Sequence, residues 1–498
     1  MHRFSCPGAL ASVLLGSTLL VGCASIPHLG AAPEPRSAES FGAVRTLARA
    51  RIGETRIGET WPAADWWRAY ADPQLTALIE EGLKSAPSVE IAAARLRSAQ
   101  GSRQQAGAAL LPSIDANANV AEAKQSYNNG IPALFVPKGW NDTGGASIDL
   151  SFDLDLWGKN RAALRAATSD KVAAALDVQQ ARLVLSTNIA SAYADLAQQY
   201  AERDVEEAAL RSRLDSQSLV ANRFTTGLDT KAELKQADAA VPAARADLAA
   251  TDESIALTRN RLAALIGEGP DRGLAIARPA VMVQARGVPA DVTTNLIGRR
   301  PDVAAARARV QSAADRINVA RADFYPAVSI SALAGFESLG ITNLFKGGSS
   351  YGNAGPAISL PIFHGGVIAG QYRTARATYD EAVATYDSTV ADAFHDVADA
   401  ITSQSMLAER LKQTRHALAD AEEGYAVAKL RYQGGLSTYL TVLTAEDTVL
   451  QNRRTVADLE ARAFTLDVAL VRALGGGPTP DTASSALAVD PAKDIHHG

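Results

Sequence analysis

Strict alternation of apolar and polar side chains marks four short segments of the chain. They are residues 114–122, 146–156, 327–337 and 351–363. A period of two predicts β-strands, and about 10–12 residues is the length that a tilted strand needs to cross hydrocarbon. A soluble hairpin with one face on a core is the alternative for any one strand. Four such strands on one chain favour the membrane.

Each pair of strands precedes a long segment that lacks helix breakers. Residues 159–226 contain no Gly and no Pro, and residues 371–433 contain only Gly424. At 1.5 Å per residue the first segment predicts a helix of roughly 100 Å. Leu176 and Leu183 lie on one seam of this helix, whereas Leu185 and Ile189 lie on a second. Two seams predict neighbours on both sides, as in a closed wall of helices.

Glycine turns end both long helices. The turns lie at residues 223–230 and 431–438, and return helices are predicted over 229–266 and 438–474. Gly227 and Gly435 supply the positive φ that ends a helix, and Asp229 and Ser437 are expected to cap the helices that follow. A helix over 88–111 is expected to stack on the first return helix beside the long one.

The pattern occurs twice because the chain contains an internal duplication. Pro87 and Pro112 recur 214 residues later as Pro301 and Pro326, and from Ser151, which recurs as Ser359, the offset is 208. The repeats span residues 61–268 and 301–477. A linker or equatorial segment covers 269–300, and a tail covers 478–498.

The N-terminus resembles a bacterial lipoprotein signal. Residues 1–22 combine a short basic start with an apolar stretch and end before Cys23. In such signals the cysteine thiol carries a diacylglycerol, so Cys23 is the predicted lipid attachment site. By resemblance to known lipoproteins, Ala24 in place of Asp after the cysteine favours the outer over the inner membrane. Residues 23–60 are then a lipidated arm, and cleavage leaves one cysteine and no intrachain disulfide.

Composition gives little support to other functions. The net charge of -5 provides no electrostatic case for nucleic acid binding. The seven histidines show no metal-binding spacing, and no glycine-rich phosphate loop is present. The acid pairs Glu206-Glu207 and Glu422-Glu423 are expected to be solvated charges. We therefore expect no enzyme activity, metal or cofactor.

Several motifs together resemble the outer-membrane efflux proteins of the TolC and OprM type, nearest the lipid-anchored NodT-family lipoproteins. They are Trp66-Trp67, Asp72-Pro73-Gln74-Leu75, Ala109-Leu110-Leu111-Pro112, Ser359-Leu360-Pro361-Ile362, Gly365-Gly366 and the two glycine turns. The resemblance implies an α+β fold in which four strands per chain build a trimeric twelve-stranded transmembrane β-barrel, joined to a long periplasmic helical barrel. Four strands alone leave open edges that lipid does not tolerate.

The family resemblance also implies function and partners. It implies a homotrimeric outer-membrane channel of a tripartite efflux system, lipid-anchored and extending into the periplasm. An inner-membrane pump, of the resistance-nodulation-division type, and a periplasmic membrane-fusion adaptor would deliver small toxic compounds. Secreted polypeptides are an alternative cargo. A structural envelope lipoprotein without a channel is a third reading, although a spacer needs no amphipathic strands.

Two groups of residues are the predicted functional sites. The adaptor-contacting tip turns comprise Arg223, Gly227, Leu228, Gly434, Gly435 and Leu436.

Relatives place acidic residues on the helix after the second turn, and the matching positions here are Thr441 and Thr444. Asp447 lies three residues beyond Thr444, on nearly the same helix face, whereas Glu446 points away. Candidates for the pore gate are therefore Asp447, Glu446, Thr441 and Thr444, with Tyr432 and Arg431 as hydrogen-bonding latches; closure by Thr and apolar side chains is the alternative.

We predict that metabolic labelling with palmitate marks the wild-type protein and not Cys23→Ser. The variant should keep part of its function, because the strands would still hold the protein in the membrane. Label retained by Cys23→Ser would refute the assignment.

Overall fold

The computed structural model describes residues 26–42, 45, 57–58, 61–132, 134–281, 288–289 and 298–477. The predicted signal sequence, Cys23, much of the predicted arm and the tail lie outside the described residues, so lipid attachment stays a prediction. No helix of the described ranges has an apolar stretch of the length needed to cross a membrane.

The described residues form six β-strands and eight α-helices. The strands are β1 (Ile57–Gly58), β2 (Ser113–Ala123), β3 (Asn141–Leu154), β4 (Val288–Pro289), β5 (Ala327–Leu339) and β6 (Ser350–Ser359). The helices are α1 (Pro73–Ser85), α2 (Pro87–Ala108), α3 (Lys159–Thr225), α4 (Lys231–Leu265), α5 (Pro270–Leu274), α6 (Pro301–Ala322), α7 (Val367–Gln433) and α8 (Tyr439–Ala473).

The chain divides into two compact units, and each draws segments from both sequence repeats. The strand unit comprises Arg97–Lys171 and Arg307–Thr385 with part of Met1–Glu34. The helical unit comprises Pro35–Leu96, Val172–Ala306 and Tyr386–Gly498. The repeats are therefore units of sequence but not of space, because strands of one copy pair with strands of the other.

The four-stranded antiparallel sheet of the strand unit has the order β2-β3-β5-β6. The two hairpins meet where β3 pairs with β5 in a register that aligns Thr143 with Leu339. Phe152 opposite Ile330 lies on one face, and Ser151 opposite Ser331 lies on the other. The alternation predicted from the sequence thus persists across the strands.

The apolar face of this sheet is open within the chain. The side chains of Ile148 and Ile358 are 58% and 73% exposed. The polar face carries hydrogen bonds of its own, in which Asn117 and Ser147 donate to the Asp149 carboxylate at 2.8 and 2.9 Å. A sheet with one exposed apolar face and one hydrogen-bonded polar face suits a wall between lipid and water.

The long helices α3 and α7 have the same length, 67 residues each. Helix α3 ends within one residue of the prediction. Helix α7 begins four residues earlier than predicted, because Gly366, at φ +88°, already ends the preceding turn. Helix α2 ends at Ala108, before the predicted position 111, because Pro112 restricts the residue that precedes it.

The aromatic motif near the start of the helical unit forms part of its core. Trp66 and Tyr70 are 2% and 1% exposed, and the Tyr70 ring packs edge-to-face on Phe464 with centroids 4.6 Å apart. The Tyr70 hydroxyl donates to the Oδ2 of Asp467 at 2.6 Å, so the buried hydroxyl has a charged acceptor.

The Asp-Pro-Gln-Leu motif begins helix α1, which has no counterpart among the predicted elements. The Asp72 carboxylate accepts the backbone N–H groups of Gln74 and Leu75 at 2.8 and 3.1 Å, and Pro73 occupies the first helical turn. The Tyr193 hydroxyl on α3 donates to the same carboxylate at 2.8 Å. Asp72 therefore both caps a helix and ties it to the long helix.

Candidate functional site

The two glycine turns share one backbone geometry. Gly227 and Gly435 both have φ +74°. The N–H of Leu228 donates to the carbonyl of Arg223 at 2.9 Å, and that of Leu436 donates to Arg431 at 2.8 Å. This is the pattern of a helix C-cap that requires a left-handed residue. The duplication has thus conserved the two turns as copies of one structure.

The predicted tip residues differ in exposure. Leu228 and Leu436 are 66% and 72% exposed, and a Cβ added to Gly227 or Gly435 would meet no atom within 4 Å. Gly434 is exposed as well. The side chain of Arg223 is only 13% exposed, because it turns inward to pair with Asp229. Leucine side chains therefore form the accessible apolar surface of both turns.

The predicted caps of the return helices are wrong by one residue. Thr230, and not Asp229, caps α4, and its N–H donates to Glu233 at 2.7 Å in a capping box. Thr438, and not Ser437, stands at the N-cap of α8. Asp229 is unavailable for capping because its carboxylate already accepts bonds from other side chains.

Three side chains, Arg223, Asp229 and Tyr432, form what we call the turn cluster. The Arg223 Nε lies 3.2 Å from both carboxylate oxygens of Asp229, and the Tyr432 hydroxyl donates to the same carboxylate. The guanidinium also lies 4.5 Å from the centre of the Tyr432 ring. The cluster therefore ties the turn after α3 to the end of α7.

The latch candidates Tyr432 and Arg431 have different surroundings. Tyr432 is 1% exposed, and burial together with the Asp229 carboxylate raises the pKa of its hydroxyl, which stays protonated as a donor. Arg431 is exposed. The arginine in the turn cluster is its repeat equivalent, Arg223.

A second group, the Arg213 cluster, joins α3 to α8. The Arg213 guanidinium donates to Glu446 at 2.7 Å and to the neighbouring carboxylate of Asp447. The Glu446 side chain is 2% exposed and that of Asp447 is 62% exposed. One arginine therefore pairs with a buried and an accessible carboxylate at the same time.

Burial raises the pKa of Glu446. The hydroxyl of Ser212 and the charge of Arg213 oppose that rise, and the charge of Asp447 adds to it. Burial, assisted by the charge of Glu446, also raises the pKa of the neighbouring Tyr439 hydroxyl. The buried half of the cluster thus disfavours negative charge.

The remaining gate candidates share one face of α8. Thr441, Thr444 and Asp447 are all exposed, at helical spacings of three. The Thr444 hydroxyl donates to the carbonyl of Leu440 at 2.9 Å, within the helix. Asp447 is therefore the accessible charge among the four α8 candidates, and Glu446 lies on the adjacent, buried face.

One expectation about the paired acids is wrong. Glu206 is 2% exposed and accepts two bonds from Arg454 at 2.6 and 3.0 Å, so it is a buried ion-pair partner. Glu207 pairs with Arg203 four residues before it, and Glu422 pairs with Arg453. Because Arg454 and Glu206 are 248 residues apart, no local sequence pattern predicts their contact.

Metal ligation finds no support in the side chains that the structure describes. They contain no group of three or more His, Cys, Asp or Glu residues placed to hold an ion. The chemistry of this region is that of ion pairs and hydrogen bonds between helices.

Comparison with known proteins identifies the family. A family model described as outer membrane efflux protein matches residues 78–268 and 292–476, one match in each repeat. The fusaric acid resistance protein FusA of Burkholderia cepacia is 36% identical over 381 residues, which cover 74% of this chain and 70% of that protein. The multidrug resistance outer membrane protein MdtP of Escherichia coli K12 is 30% identical over 94% of this chain and 96% of its own length.

Solved structures have the same fold. The outer membrane protein VceC of Vibrio cholerae is 44% identical, with a TM-score of 0.79, and the match covers 84% of this chain and 100% of that one. The CmeC outer membrane channel of Campylobacter jejuni, at 23% identity, has a TM-score of 0.82 over 93% of this chain and 97% of that one. The predicted fold class, four strands per chain in a trimeric channel with a helical barrel, is confirmed. Because the family model matches both repeats, the chain belongs to the outer membrane efflux protein family.

Proposed function

We propose that this outer-membrane efflux channel is the exit duct of a tripartite exporter for small toxic compounds. The names of its relatives support this cargo class, since they include multidrug resistance, fusaric acid resistance and pyoverdine export proteins. An inner-membrane pump of the resistance-nodulation-division type would supply the energy, and a periplasmic adaptor would join pump to duct. A diacylglycerol on Cys23 would add a second membrane attachment.

The observation that carries the proposal is the pair of equal helices, α3 and α7, that end in matched glycine turns. Helices of 67 residues extend roughly 100 Å, far more than a channel needs to cross one bilayer. Such a length suits a duct that meets a partner in the periplasm. The exposed Leu228 and Leu436 would give the adaptor one apolar anchor on each turn.

The turn cluster and the Arg213 cluster would hold the duct closed. Each cluster links a helix or turn of the first repeat to a helix of the second. Movement of either element away from its partner would therefore break buried charged hydrogen bonds. In a trimer, threefold symmetry would gather the accessible face of Thr441, Thr444 and Asp447 from three chains. Three copies of Asp447 would then form a ring that attracts cations.

Deletion of the gene should lower the resistance of its host to part of a panel of toxic compounds, and the wild-type gene should restore this resistance.

Gly435→Val should fail to restore resistance in the deletion strain although the protein reaches the outer membrane, because a β-branched residue strains a position at φ +74°. Gly424→Val, nine residues before the end of α7 and without a positive φ, is the matched control and should restore resistance. Full resistance with Gly435→Val would contradict the role of the turn.

A trivalent cation added from the periplasmic side should block wild-type conductance in planar bilayers. Asp447→Ala should weaken this block by about tenfold or more, because it removes the accessible carboxylate of the proposed ring. Asp420→Ala, which removes an exposed carboxylate from α7, should leave the block unchanged. An unchanged block in Asp447→Ala would place the constriction elsewhere.

The stability of the protein should respond to Glu446 in a pH-dependent way. Since burial raises the pKa of Glu446, the folded state keeps a proton that the unfolded chain has lost, and stability falls as pH rises from the ordinary glutamate pKa through the raised one. Glu446→Gln is neutral throughout. Its free energy of unfolding relative to wild type should therefore increase with pH, by up to about 1.4 kcal/mol per pH unit within that window, and its relative melting temperature should rise with it.

Thermal melts from pH 4 to pH 8 measure this difference. Glu423→Gln makes the same isosteric change at an exposed position of α7 and serves as the control. A constant difference between Glu446→Gln and wild type across the range would contradict the role of the buried charge.

A further inference from the structure

A surface cavity of about 490 Å³ lies in the strand unit, where the strands meet the helices. We call it the junction cavity. Its volume is within the range of about 300–1,000 Å³ that is usual for ligand sites. Its lining combines cations with aromatic rings: Trp157, Gly158, Arg161, Arg165, Asn318, Arg321, Ala322 and Tyr325. Neither the gate nor the tip turns use any of these residues.

The three arginines of the junction cavity have guanidinium N–H groups without a hydrogen-bond partner among the described residues. Arg161 uses Nε and one terminal nitrogen on Asp155, and Arg165 uses Nε on Asp315 at 2.9 Å. Both side chains remain more than half exposed. Arg321 is exposed, and its side chain has no ion pair or hydrogen bond with any residue that the structure describes. Three cations face two carboxylates, so the cavity keeps one uncompensated positive charge.

Aromatic rings form one wall of the junction cavity. Trp157 and Tyr325 stack with centroids 4.9 Å apart and planes inclined by 22°. The Trp157 Nε1 donates to the carbonyl of Pro326 at 2.6 Å, which holds the indole in place. A fixed apolar wall beside guanidinium groups suits an amphipathic anion.

The position of the junction cavity along the strands indicates its depth in the membrane. Strand β3 ends at Leu154, just before Trp157, and β5 begins at Ala327, just after Tyr325. If the strands cross the bilayer, the ends that lead into helices lie at its periplasmic surface. Trp and Tyr concentrate at such interfaces, and Arg reaches lipid phosphates there.

The internal duplication provides a comparison within the same chain. The repeat equivalents of Trp157 and Arg161 are Gly365 and Ala369, at the offset of 208. The equivalents of Arg321 and Tyr325 are Gly107 and Leu111, at the offset of 214. Both the aromatic wall and the free arginine are therefore restricted to one of the two junctions. If the fold itself required them, they would occur at both junctions.

From these observations we propose that the junction cavity binds the headgroup of an anionic phospholipid from the periplasmic leaflet of the outer membrane. The phosphate accepts hydrogen bonds from Arg321 and from the free terminal nitrogens of Arg161 and Arg165, and the glycerol and first acyl carbons lie on the Trp157–Tyr325 wall. The inference rests on the membrane position of the strands and does not depend on the cargo.

Native mass spectrometry of the full-length protein in a mild detergent tests the proposal, with short-chain phosphatidylglycerol as the probe. Arg321→Gln should weaken binding by about tenfold, because it removes a charged phosphate donor. This variant breaks no side-chain hydrogen bond or ion pair with a described residue, so loss of folding is not an expected side effect. Arg321→Lys should recover part of the affinity. Arg373 is the repeat equivalent of Arg165. Arg373→Gln is therefore the control and should bind phosphatidylglycerol like the wild-type protein.

Two outcomes would overturn the proposal. The first is unchanged phosphatidylglycerol binding by Arg321→Gln. The second is equally tight binding of soluble glycerol 3-phosphate, which would make the cavity a site for water-borne anions. Bilayer conductance of the same preparation separates this inference from the proposed function, because a variant that conducts normally but loses lipid binding supports both.

Discussion

The fold depends on closing the edges of its four-stranded sheet. Strands β2 and β6 are the outermost in the order β2-β3-β5-β6, so each leaves a row of backbone N–H and C=O groups without partners in the sheet. In hydrocarbon each unsatisfied group costs several kcal/mol. Pairing between copies of the chain removes that cost, and the family architecture, with three copies and twelve strands, does so by closing the barrel. Assembly is thus a condition of the membrane-spanning fold.

The features that the two repeats share form the scaffold of the fold. The turn cluster and the junction cavity instead contain residues that differ between the repeats. The glycine turns and the 67-residue helices are nearly identical in the two repeats. The turn cluster is not, because Tyr432 stands where the first repeat has Phe224, and Asp229 stands where the second has Ser437. The junction cavity diverges in the same way. Differences between the repeats therefore locate the turn cluster and the junction cavity, whereas the shared motifs locate the tip turns.

Sequence patterns predicted the elements whose cause is local. Alternation located all four long strands, and the scarcity of Gly and Pro located both long helices. Contacts between distant residues were not predictable in this way. The predicted cap at Asp229 was wrong because Asp229 bonds to Tyr432, 203 residues away. Glu206 looked like a solvated charge because its partner, Arg454, lies 248 residues further along the chain.

Disulfide cross-linking between β2 and β6 tests the closure of the sheet most directly. The single predicted mature cysteine is Cys23, so an Ala118→Cys substitution can be combined in turn with Ala354→Cys or Pro356→Cys. The register places both on the same face of the sheet as Ala118. Closure by three copies predicts that oxidation of at least one pair gives covalent species up to the trimer and none larger. Exclusively monomeric chains for every pair, or a ladder beyond three, would contradict it.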